Sequence, residues 1–428
     1  MKTFSKLITA VLGVLMLISC QDKIEETYKI NSPVYMTYGE LRNSFKVAAA
    51  EDIVKPGKIY FKDNFIYVNE YQKGIHVVDN ADPANPQVIK FIEIPGNVDM
   101  AIRGNMLYAD SYVDLLTIDI SDIENIKEVD RDTNVFPYII PDVEEGIVES
   151  VNQFEGVVVG YTVTEKTEKV ESSVSFPRFL QWEDTGFRTN SWATDKAMAT
   201  GGGSETGTGG SMARFTIYDS YLYTVSTWSL NLFDLQNTAN PVFIKEIYVG
   251  WGIETIFPYE DKLFLGSMQG MYIYSVENPL NPFQISQFRH ASACDPVVAD
   301  GGYAYVTLRG GNLCGAIESQ LNVIDISNLL EPKLINTVLL TEPYGLGIDS
   351  SLLFICDGNA GLKIYNSADK NKIAENLIVH YPDIHAFDVI PLGNVLVMIG
   401  IDGLYQYDYS RVDSIYELSH IPIYGNRQ

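Results

Sequence analysis

The stretch GIHVVDNADPANP, Gly74 to Pro86, has the pattern of a β-strand that runs into a proline-containing turn, and a version of it returns as NLFDLQNTANP from Asn231 to Pro241. Asp79 ends the strand, where its carboxylate can accept backbone N–H groups of the turn. Pro83 and Pro86 fix φ, which lowers the entropy lost on folding. Such a motif builds a scaffold and carries no chemistry, so we predict that the repeat specifies the fold rather than the function.

A second kind of short strand, with an aromatic residue near its middle, precedes each copy of the first. The copies are NFIYVNE (from Asn64), NMLYADS (Asn105), SYLYTVS (Ser220), DKLFLGS (Asp261), GYAYVTL (Gly302), SLLFICD (Ser351) and NVLVMIG (Asn394), the last with Val397 in place of the aromatic. The strands that follow them end at Asp79, Asp119, Asp234, Ser275, Asp325, Asn366 and Asp408, at spacings of 40, 115, 41, 50, 41 and 42 residues. These spacings indicate a period near 41 residues with one long gap.

The gap contains a degenerate copy of the repeat. Residues Val135 to Tyr161 supply three strand-like runs, which brings the count to eight. Each period holds four short runs rich in Val, Ile, Tyr and Phe, and the first two runs are joined by residues able to take φ > 0. Four antiparallel strands at this period are typical of a propeller blade. The sequence therefore predicts an all-β protein, a single β-propeller of seven or eight four-stranded blades, with eight favoured by the count.

The strand ends resemble a known repeat. LTIDIS (Leu116 to Ser121), LNVIDIS (Leu321 to Ser327) and GIHVVDN are similar to LVIVD repeats, a family of bacterial exported propeller proteins. The resemblance covers most of residues 56–428 and implies a propeller there. It implies almost nothing about activity, since members of that family mostly lack an assigned biochemical role.

The N-terminus has the features of an export signal. Lys2 and Lys6 precede an apolar run of 12 residues, Leu7 to Ile18, which is too short to span a bilayer as a helix. LISC, Leu17 to Cys20, resembles a bacterial lipobox and implies cleavage before Cys20 and lipidation of its thiol. We expect residues 1–19 to be a lipoprotein signal peptide, 20–55 a lipidated tether and extension, and the location to be the cell envelope, at the outer membrane and in reach of the cell surface.

Charge and cysteine content restrict the partners. The chain has 55 acidic and 30 basic residues, a formal charge of −25, and no basic run, so nucleic acid is excluded as an expected partner. In an oxidising compartment we expect a disulfide between Cys294 and Cys314, because strand parity places both on one rim of the same blade. Cys356 lies in an apolar run and is expected to be buried.

One group of polar residues is predicted to converge at the mouth of the central channel. The segments GNVDMAI, SMARFTI, WGIETI, ACDPVVA and DIHAFDV align at the starts of inner strands. The aligned residues are Asp99, Arg214, Glu254 and Asp295, with His385 within one residue. Such a set could bind a polar ligand or a divalent cation, or supply acid and base groups. The alternative is a hydrated channel lined by ordinary polar residues. No dedicated cofactor motif is present.

An insertion between the third and fourth predicted blades is the other candidate. Residues 173–211 are aromatic in their first part, with Trp182 and Trp192, and glycine-rich in their second. The aromatics could stack on sugar rings at the rim that carries the polar ring, or simply pack on the propeller. The run Asp130, Asp132 and Asn134 resembles the start of a calcium loop but lacks its glycine and final glutamate, so a solvated turn is expected.

The sequence thus favours an exported, lipid-anchored binding or interaction module over an enzyme, because no recognisable catalytic set accompanies the repeat. The partners expected are a membrane, through Cys20, and a glycan or an envelope protein. Two alternatives stay open. One is a propeller hydrolase or lyase acting on a glycan or lactone through the polar ring, and the other is a structural subunit of an outer-membrane assembly.

Overall fold

The computed structural model describes residues 23–143, 145–171, 206–289, 296–310 and 318–424. It divides into two compact units, residues 1–37 with 139–190 and residues 38–138 with 191–428. The first elements are strand β1 (Lys23–Met36), helix α1 (Tyr38–Arg42) and strand β2 (Lys46–Ala49). Among the described residues, no helix is long and apolar enough to cross a bilayer.

Almost all of the remaining elements in the described residues are strands. Next come β3 (Pro56–Lys62), β4 (Phe65–Glu70), β5 (Gly74–Asp79), β6 (Gln87–Glu93), β7 (Met100–Arg103), β8 (Met106–Ser111), β9 (Asp114–Asp119), β10 (Lys127–Asp132), β11 (Ile147–Val148), β12 (Val157–Glu171) and β13 (Thr208–Gly209). They are followed by β14 (Phe215–Tyr218), β15 (Tyr221–Val225), β16 (Ser229–Asp234), β17 (Val242–Tyr248), β18 (Ile253–Tyr259), β19 (Lys262–Ser267), β20 (Gly270–Ser275), β21 (Phe283–Arg289), β22 (Val297–Asp300) and β23 (Tyr303–Leu308). The last are β24 (Gln320–Asp325), β25 (Lys333–Leu339), β26 (Leu346–Asp349), β27 (Leu352–Cys356), β28 (Leu362–Asn366), β29 (Leu377–Tyr381), β30 (Ala386–Pro391), β31 (Val395–Gly400), β32 (Gly403–Asp408) and β33 (Tyr416–Pro422). Two short 3-10 helices, Ile123–Asn125 and Ile373–Glu375, lie in turns.

In its described residues, the larger unit contains seven sheets, each built on four antiparallel strands that are consecutive in sequence. We number these blades 1 to 7; they begin at β3, β7, β14, β18, β22, β26 and β30. The first strand of each blade contacts the first strand of the next, and β30 contacts β3. The inner strands therefore form a closed ring, and the predicted β-propeller is confirmed.

The preference for eight blades is wrong, because the described residues form seven. Val135 to Tyr161, expected to be a degenerate blade, contributes β11 and β12 to the smaller unit. There β12 pairs antiparallel with β1 along its whole length, and β11 pairs with β1 on the other side. A strand pattern predicts strands but does not say which strands pair, and here the partner lies more than a hundred residues away.

Positive φ angles occur where the sequence places hairpins between first and second strands. Asp63, Asp219, Glu260 and Ser350 have φ between 52° and 57°, and glycines take this conformation in the other three blades. The second strands then bury their aromatic residues between blades. Those that are almost fully buried are Tyr67, Tyr108, Tyr223, Phe264, Tyr305 and Phe354.

The turn after each third strand is capped by the residue that ends the strand. Asp79 accepts the backbone N–H of Ala81 at 3.0 Å, and Asp234 accepts that of Gln236 at 2.7 Å. Equivalent bonds are made by Asp119, Ser275, Asp325, Asn366 and Asp408. All seven repeat ends found in the sequence therefore perform the same local task, as expected of a scaffold motif.

These turns also join the blades to one another. In six of the seven interfaces a side chain of one blade donates a hydrogen bond to a backbone carbonyl in the turn of the next. The donors are Tyr108, Tyr223, Ser286, Asn336, Tyr381 and Gln406, and the acceptors are the carbonyls of Thr238, Pro279, Leu329, Lys370, Ile415 and Pro83. Between blades 1 and 2, Lys90 instead pairs with the Glu124 carboxylate of the turn at 2.7 Å.

Ring closure between blades 7 and 1 uses the most extensive of these contacts. Gln406 and Asn80, both buried, exchange two amide hydrogen bonds of 3.0 and 2.7 Å. Gln406 also donates to the Pro83 carbonyl at 3.0 Å, and Ser419 donates to the same carbonyl at 2.6 Å. Blade 7 is the one in which Val397 replaces the aromatic, so Gln406 takes over a task that a tyrosine hydroxyl performs elsewhere.

Replacing Gln406 with alanine is expected to lower the free energy of unfolding by about 2–3 kcal/mol, because it leaves the buried Asn80 amide without its partner. Urea denaturation followed by tryptophan fluorescence measures this. The matched control is Gln284→Ala on the exposed outer strand of blade 4, which should change the free energy by less than about 0.5 kcal/mol. Equal effects of the two substitutions would contradict a special role for the closing contact.

Candidate functional site at the channel mouth

The strand register defines one position per blade at the start of the inner strand. We call the face where inner strands begin the mouth face, and the face with the first hairpins the hairpin face. In each blade, the residue that follows the second-strand aromatic (Val397 in blade 7) pairs with one residue of the inner strand. The position directly before that inner-strand residue is the one we compare. It is occupied by Lys58, Asp99, Arg214, Thr255, Pro296, Gly345 and Asp388. Charged residues thus occupy this position on four adjacent blades, 7, 1, 2 and 3.

The predicted ring agrees with this set only in part. Asp99 and Arg214 occupy the position, but Glu254 lies one residue earlier, at a register shift in β18, and His385 lies three residues before Asp388. Asp295 is outside the described residues. The sequence prediction does not include Lys58 and Asp388. The signal that identifies both is their distance from the second-strand aromatic position, counted back through the first hairpin.

The channel is occupied by the chain itself, along residues Thr206–Arg214. Thr206 bridges Arg103 at the hairpin end of blade 2, and β13 pairs antiparallel with β3 of blade 1. The segment then reaches the mouth at Ser211, which bonds residues of blades 6 and 7. The second part of the insertion was expected on the mouth rim. Instead, its described end enters from the hairpin face and rises through the channel.

Glycine makes this close passage possible. A Cβ on Gly207 would lie 2.3 Å from the Tyr60 ring, and one on Gly210 would lie 2.2 Å from an Asp388 carboxylate oxygen. Neither contact is compatible with a side chain. The glycines of this described segment therefore allow tight packing against inner strands.

Two carboxylates of the ring hold this segment at the mouth. Asp388 is fully buried, and one of its oxygens accepts the backbone N–H of Ser211 at 2.9 Å as well as the Ser211 hydroxyl. The same hydroxyl accepts the backbone N–H of Leu346 at 3.0 Å. On the other side of the channel, Asp99 accepts the backbone N–H of Arg214. The ring carboxylates are thus engaged in holding the chain.

A buried polar network extends from Asp99 into blades 1 and 2. Lys58 donates to Asp99 at 2.9 Å, and burial lowers the pKa of Lys58 while the charge of Asp99 opposes that effect. Asp110 accepts the backbone N–H groups of Val98 and Asp99, each at 2.8 Å. Desolvation nevertheless raises the pKa of Asp110 to about 6, because these bonds offset only part of the effect of desolvation.

Asp110 is expected to make stability depend on pH. Between its ordinary pKa of 3.8 and its folded value of about 6, the folded protein holds a proton that the unfolded chain has lost, so stability falls as pH rises through this window. Asn in place of Asp110 keeps the acceptor oxygen and cannot ionise. The free energy of unfolding of Asp110→Asn minus that of wild type should therefore increase from pH 4 to pH 6 and stay constant above pH 6. Urea denaturation at each pH measures this difference. A difference that stays constant across the window would refute this assignment.

Arg214 and Glu254 add two charged side chains at the mouth. Both side chains are partly exposed. Burial lowers the pKa of Arg214, and the neighbouring charges of Glu254 and Asp99 oppose this, with a smaller contribution from Tyr71. Blades 1, 2, 3 and 4 therefore each contribute a group to one cluster around the Arg214 guanidinium. Three of the residues proposed from the sequence, Asp99, Arg214 and Glu254, are brought together here.

His385 belongs to a separate cluster on blades 5 to 7. Its ring lies 5.9 Å from that of Tyr344, which stacks on Phe387 at 5.0 Å. The Arg309 guanidinium lies over the Tyr344 ring at 4.2 Å. Glu342 accepts the Tyr344 hydroxyl at 3.1 Å, and its pKa is lowered, despite desolvation, by bonds from Asn359 and Tyr344.

Aromatic side chains are frequent on the loops of the mouth face. Those that are partly exposed are Tyr71, Tyr112, Trp228, Trp251 and Tyr344. Neighbouring loops are joined by backbone bonds, for example from Gly250 to the Trp228 carbonyl at 3.3 Å. These rings lie in loops, and the sequence prediction, which rests on the strands and the insertion, does not include them.

Several predicted residues cannot be placed. Cys20, Trp182, Trp192, Cys294, Asp295 and Cys314 lie outside the described residues. Cys356 is buried, as expected. Asp130 and Asp132 lie in strand β10 rather than in the expected solvated turn. Asp130 accepts a hydrogen bond from the Asn240 side chain, and the Asn134 backbone N–H donates to Asp114. Within the described ranges, no cluster of His, Cys, Asp and Glu is arranged to hold a metal ion.

Comparisons with known proteins add no assignment beyond the fold. No protein-family model and no curated protein matches the chain. Similar solved structures include Ika8, a computationally designed protein (8% identity, TM-score 0.49, 87% of this chain and 89% of that one), and Sqt1 of Saccharomyces cerevisiae (10%, 0.48, 92% and 89%). Another is PorZ, a surface component of the type-IX secretion system of Porphyromonas gingivalis (11%, 0.47, 88% and 39%). Identities and TM-scores this low carry no argument about function, and the propeller assignment rests on the closed ring of sheets.

Proposed function

We propose that this protein is a binding module that takes a polar ligand on the mouth face of the propeller. The observation that carries the proposal is the combination of aromatic rings and charge on this face. Partly exposed aromatic rings of its loops lie on the same face as the Arg214 and Glu254 side chains. A flat ring beside hydrogen-bonding charges is the arrangement that recognises the apolar face and hydroxyl edge of a sugar.

Binding is favoured over catalysis by what the ring residues already do. Asp99 and Asp388 accept backbone N–H groups of the channel segment, and Lys58 is paired with Asp99. A general acid or base must contact its substrate, whereas these groups already bond to the protein itself. The mouth face still offers contact surface and hydrogen-bonding groups, which a binding module needs.

The test is a thermal-shift screen of the protein against soluble oligosaccharides, namely chito-, malto- and oligogalacturonate series. We expect at least one series to raise the melting temperature of wild type. Trp251→Ala and Glu254→Gln should each weaken that ligand at least tenfold in calorimetric titration. The control is Asp219→Asn on the hairpin face, which removes one charge at a position whose φ of 55° asparagine also tolerates. Absence of any shift, or equal loss in all three variants, would count against the mouth face as a glycan site.

We further propose that the module is exported and anchored through lipid on Cys20, as a member of the LVIVD-repeat group. The support is the LISC sequence before the first strand and the LVIVD-like strand ends, which in the propeller are third strands ending in capped turns. An anchor of this kind holds a protein at a membrane surface without spanning it.

Metabolic labelling of a Gram-negative host with radioactive palmitate tests the anchor. Wild type should incorporate label into the membrane fraction, and Cys20→Ser should incorporate none. The matched control is Cys356→Ser, which removes a buried thiol and should label normally. Label retained in Cys20→Ser would show that the thiol is not the acylation site.

A further inference from the structure

The outer edge of β12 is long and carries no strand in the described part of the chain. The small sheet has the order β11, β1, β12, so β12 pairs with β1 on one side only, over 15 residues. Side chains from Thr162 to Thr167 are exposed on both faces, with Val163 at 53%. An unpaired edge of this length is a template for adding another strand.

Within the described ranges, most of this ribbon also has no third strand. β11 pairs with β1 only at Ile30 and Asn31, so from Lys23 to Lys29 the chain pairs with β12 alone. Isolated two-stranded ribbons are marginally stable in water, and a third or fourth strand is what stabilises them. The ribbon therefore gains most from a partner along its free edge.

The sequence of the free edge is complementary to itself around Thr167. In an antiparallel pair with Thr167 opposite Thr167 of a second copy, Lys166 lies opposite Glu168 and Glu168 opposite Lys166. Directly opposite side chains have Cβ atoms about 4.5–5.5 Å apart, where unlike charges attract. Moving the two-fold axis by one residue sets Lys166 against Lys166 or Glu168 against Glu168, so charge selects this register.

The present contact between Lys166 and Glu168 does not prevent them from pairing with a second copy. Lys166 and Glu168 pair within the strand at 2.6 Å, with side chains 52% and 37% exposed. A solvent-exposed pair of this kind contributes little to stability. Replacing it by two reciprocal pairs between copies keeps every charge partnered.

We propose that β12 pairs antiparallel with β12 of a second copy of this chain, about a two-fold axis at Thr167. The result is a continuous six-stranded sheet that joins two protomers through their small units. The contact is isologous, so it closes after two copies. It needs no ligand and is independent of the mouth face.

Cysteine crosslinking of the full chain in isolated membranes tests the register. In Thr167→Cys the two thiols face each other, with Cα atoms within the range a disulfide spans. Oxidation with copper phenanthroline should convert most of the protein to a reducible dimer. The control is Thr164→Cys, whose two copies would lie about 20 Å apart at 3.3 Å per residue and should crosslink at least tenfold less. Equal crosslinking of both variants, or none of either above wild type, would overturn the proposal.

Charge reversal provides a second, independent test. Capture of untagged copies by tagged copies after mild detergent extraction should fall at least fivefold for Lys166→Glu and for Glu168→Lys, and return in the double variant Lys166→Glu, Glu168→Lys. Lys333→Glu is the matched control, since Lys333 is an exposed edge-strand lysine 3.6 Å from a glutamate two residues away. Loss in the control, or no recovery in the double variant, would remove β12 as the contact.

Discussion

The structure depends on the hydrogen bonds by which the last blade binds the turn of the first. A propeller made of consecutive blades has no strand shared between its ends, so closure must come from side chains across the 7–1 interface. Gln406 and Ser419 of blade 7 both donate to the Pro83 carbonyl, and Gln406 also exchanges amide hydrogen bonds with Asn80 of blade 1. Pro83 lies in the turn that Asp79 caps. The same turn therefore shapes a blade and receives its neighbour, which explains why its sequence recurs around the ring.

Closure has a consequence for the interior. Seven inner strands enclose a channel, and residues Thr206–Arg214 fill it from the hairpin face to the mouth. The buried charges of Lys58, Asp99 and Asp388 need partners, and the backbone of this segment bonds Asp99 and Asp388. What looked like a ligand-binding ring is therefore in part an internal support. The ligand contacts that we propose therefore involve Arg214, Glu254 and the aromatic loops instead.

The pH behaviour and the burial of the mouth network follow from the same arrangement. Asp110 is desolvated because the loops of blades 1 and 2 close over it, and three donors from Asn97, Val98 and Asp99 do not fully compensate. This desolvation occurs where the inner strand of blade 2 begins. There Asp99 is held in the position from which it accepts the backbone N–H of Arg214.

Sequence alone determined the local structure. Turn residues with positive φ, capping Asp and Asn side chains, and one buried aromatic per second strand are set by neighbours within a few residues, so their spacing predicted the blades, their turns and most of the core. Asp99 and Arg214 were found in this way because they directly precede inner strands. Only the tertiary structure decided the rest. β12 pairs with β1 across more than a hundred residues, which reduced eight blades to seven, and glycines 207, 209 and 210 pack inside the ring. Lys58 and Asp388 become neighbours of the channel segment only when the ring closes. Long-range pairing is decided by the sum of contacts over the whole fold, and no local pattern encodes that sum.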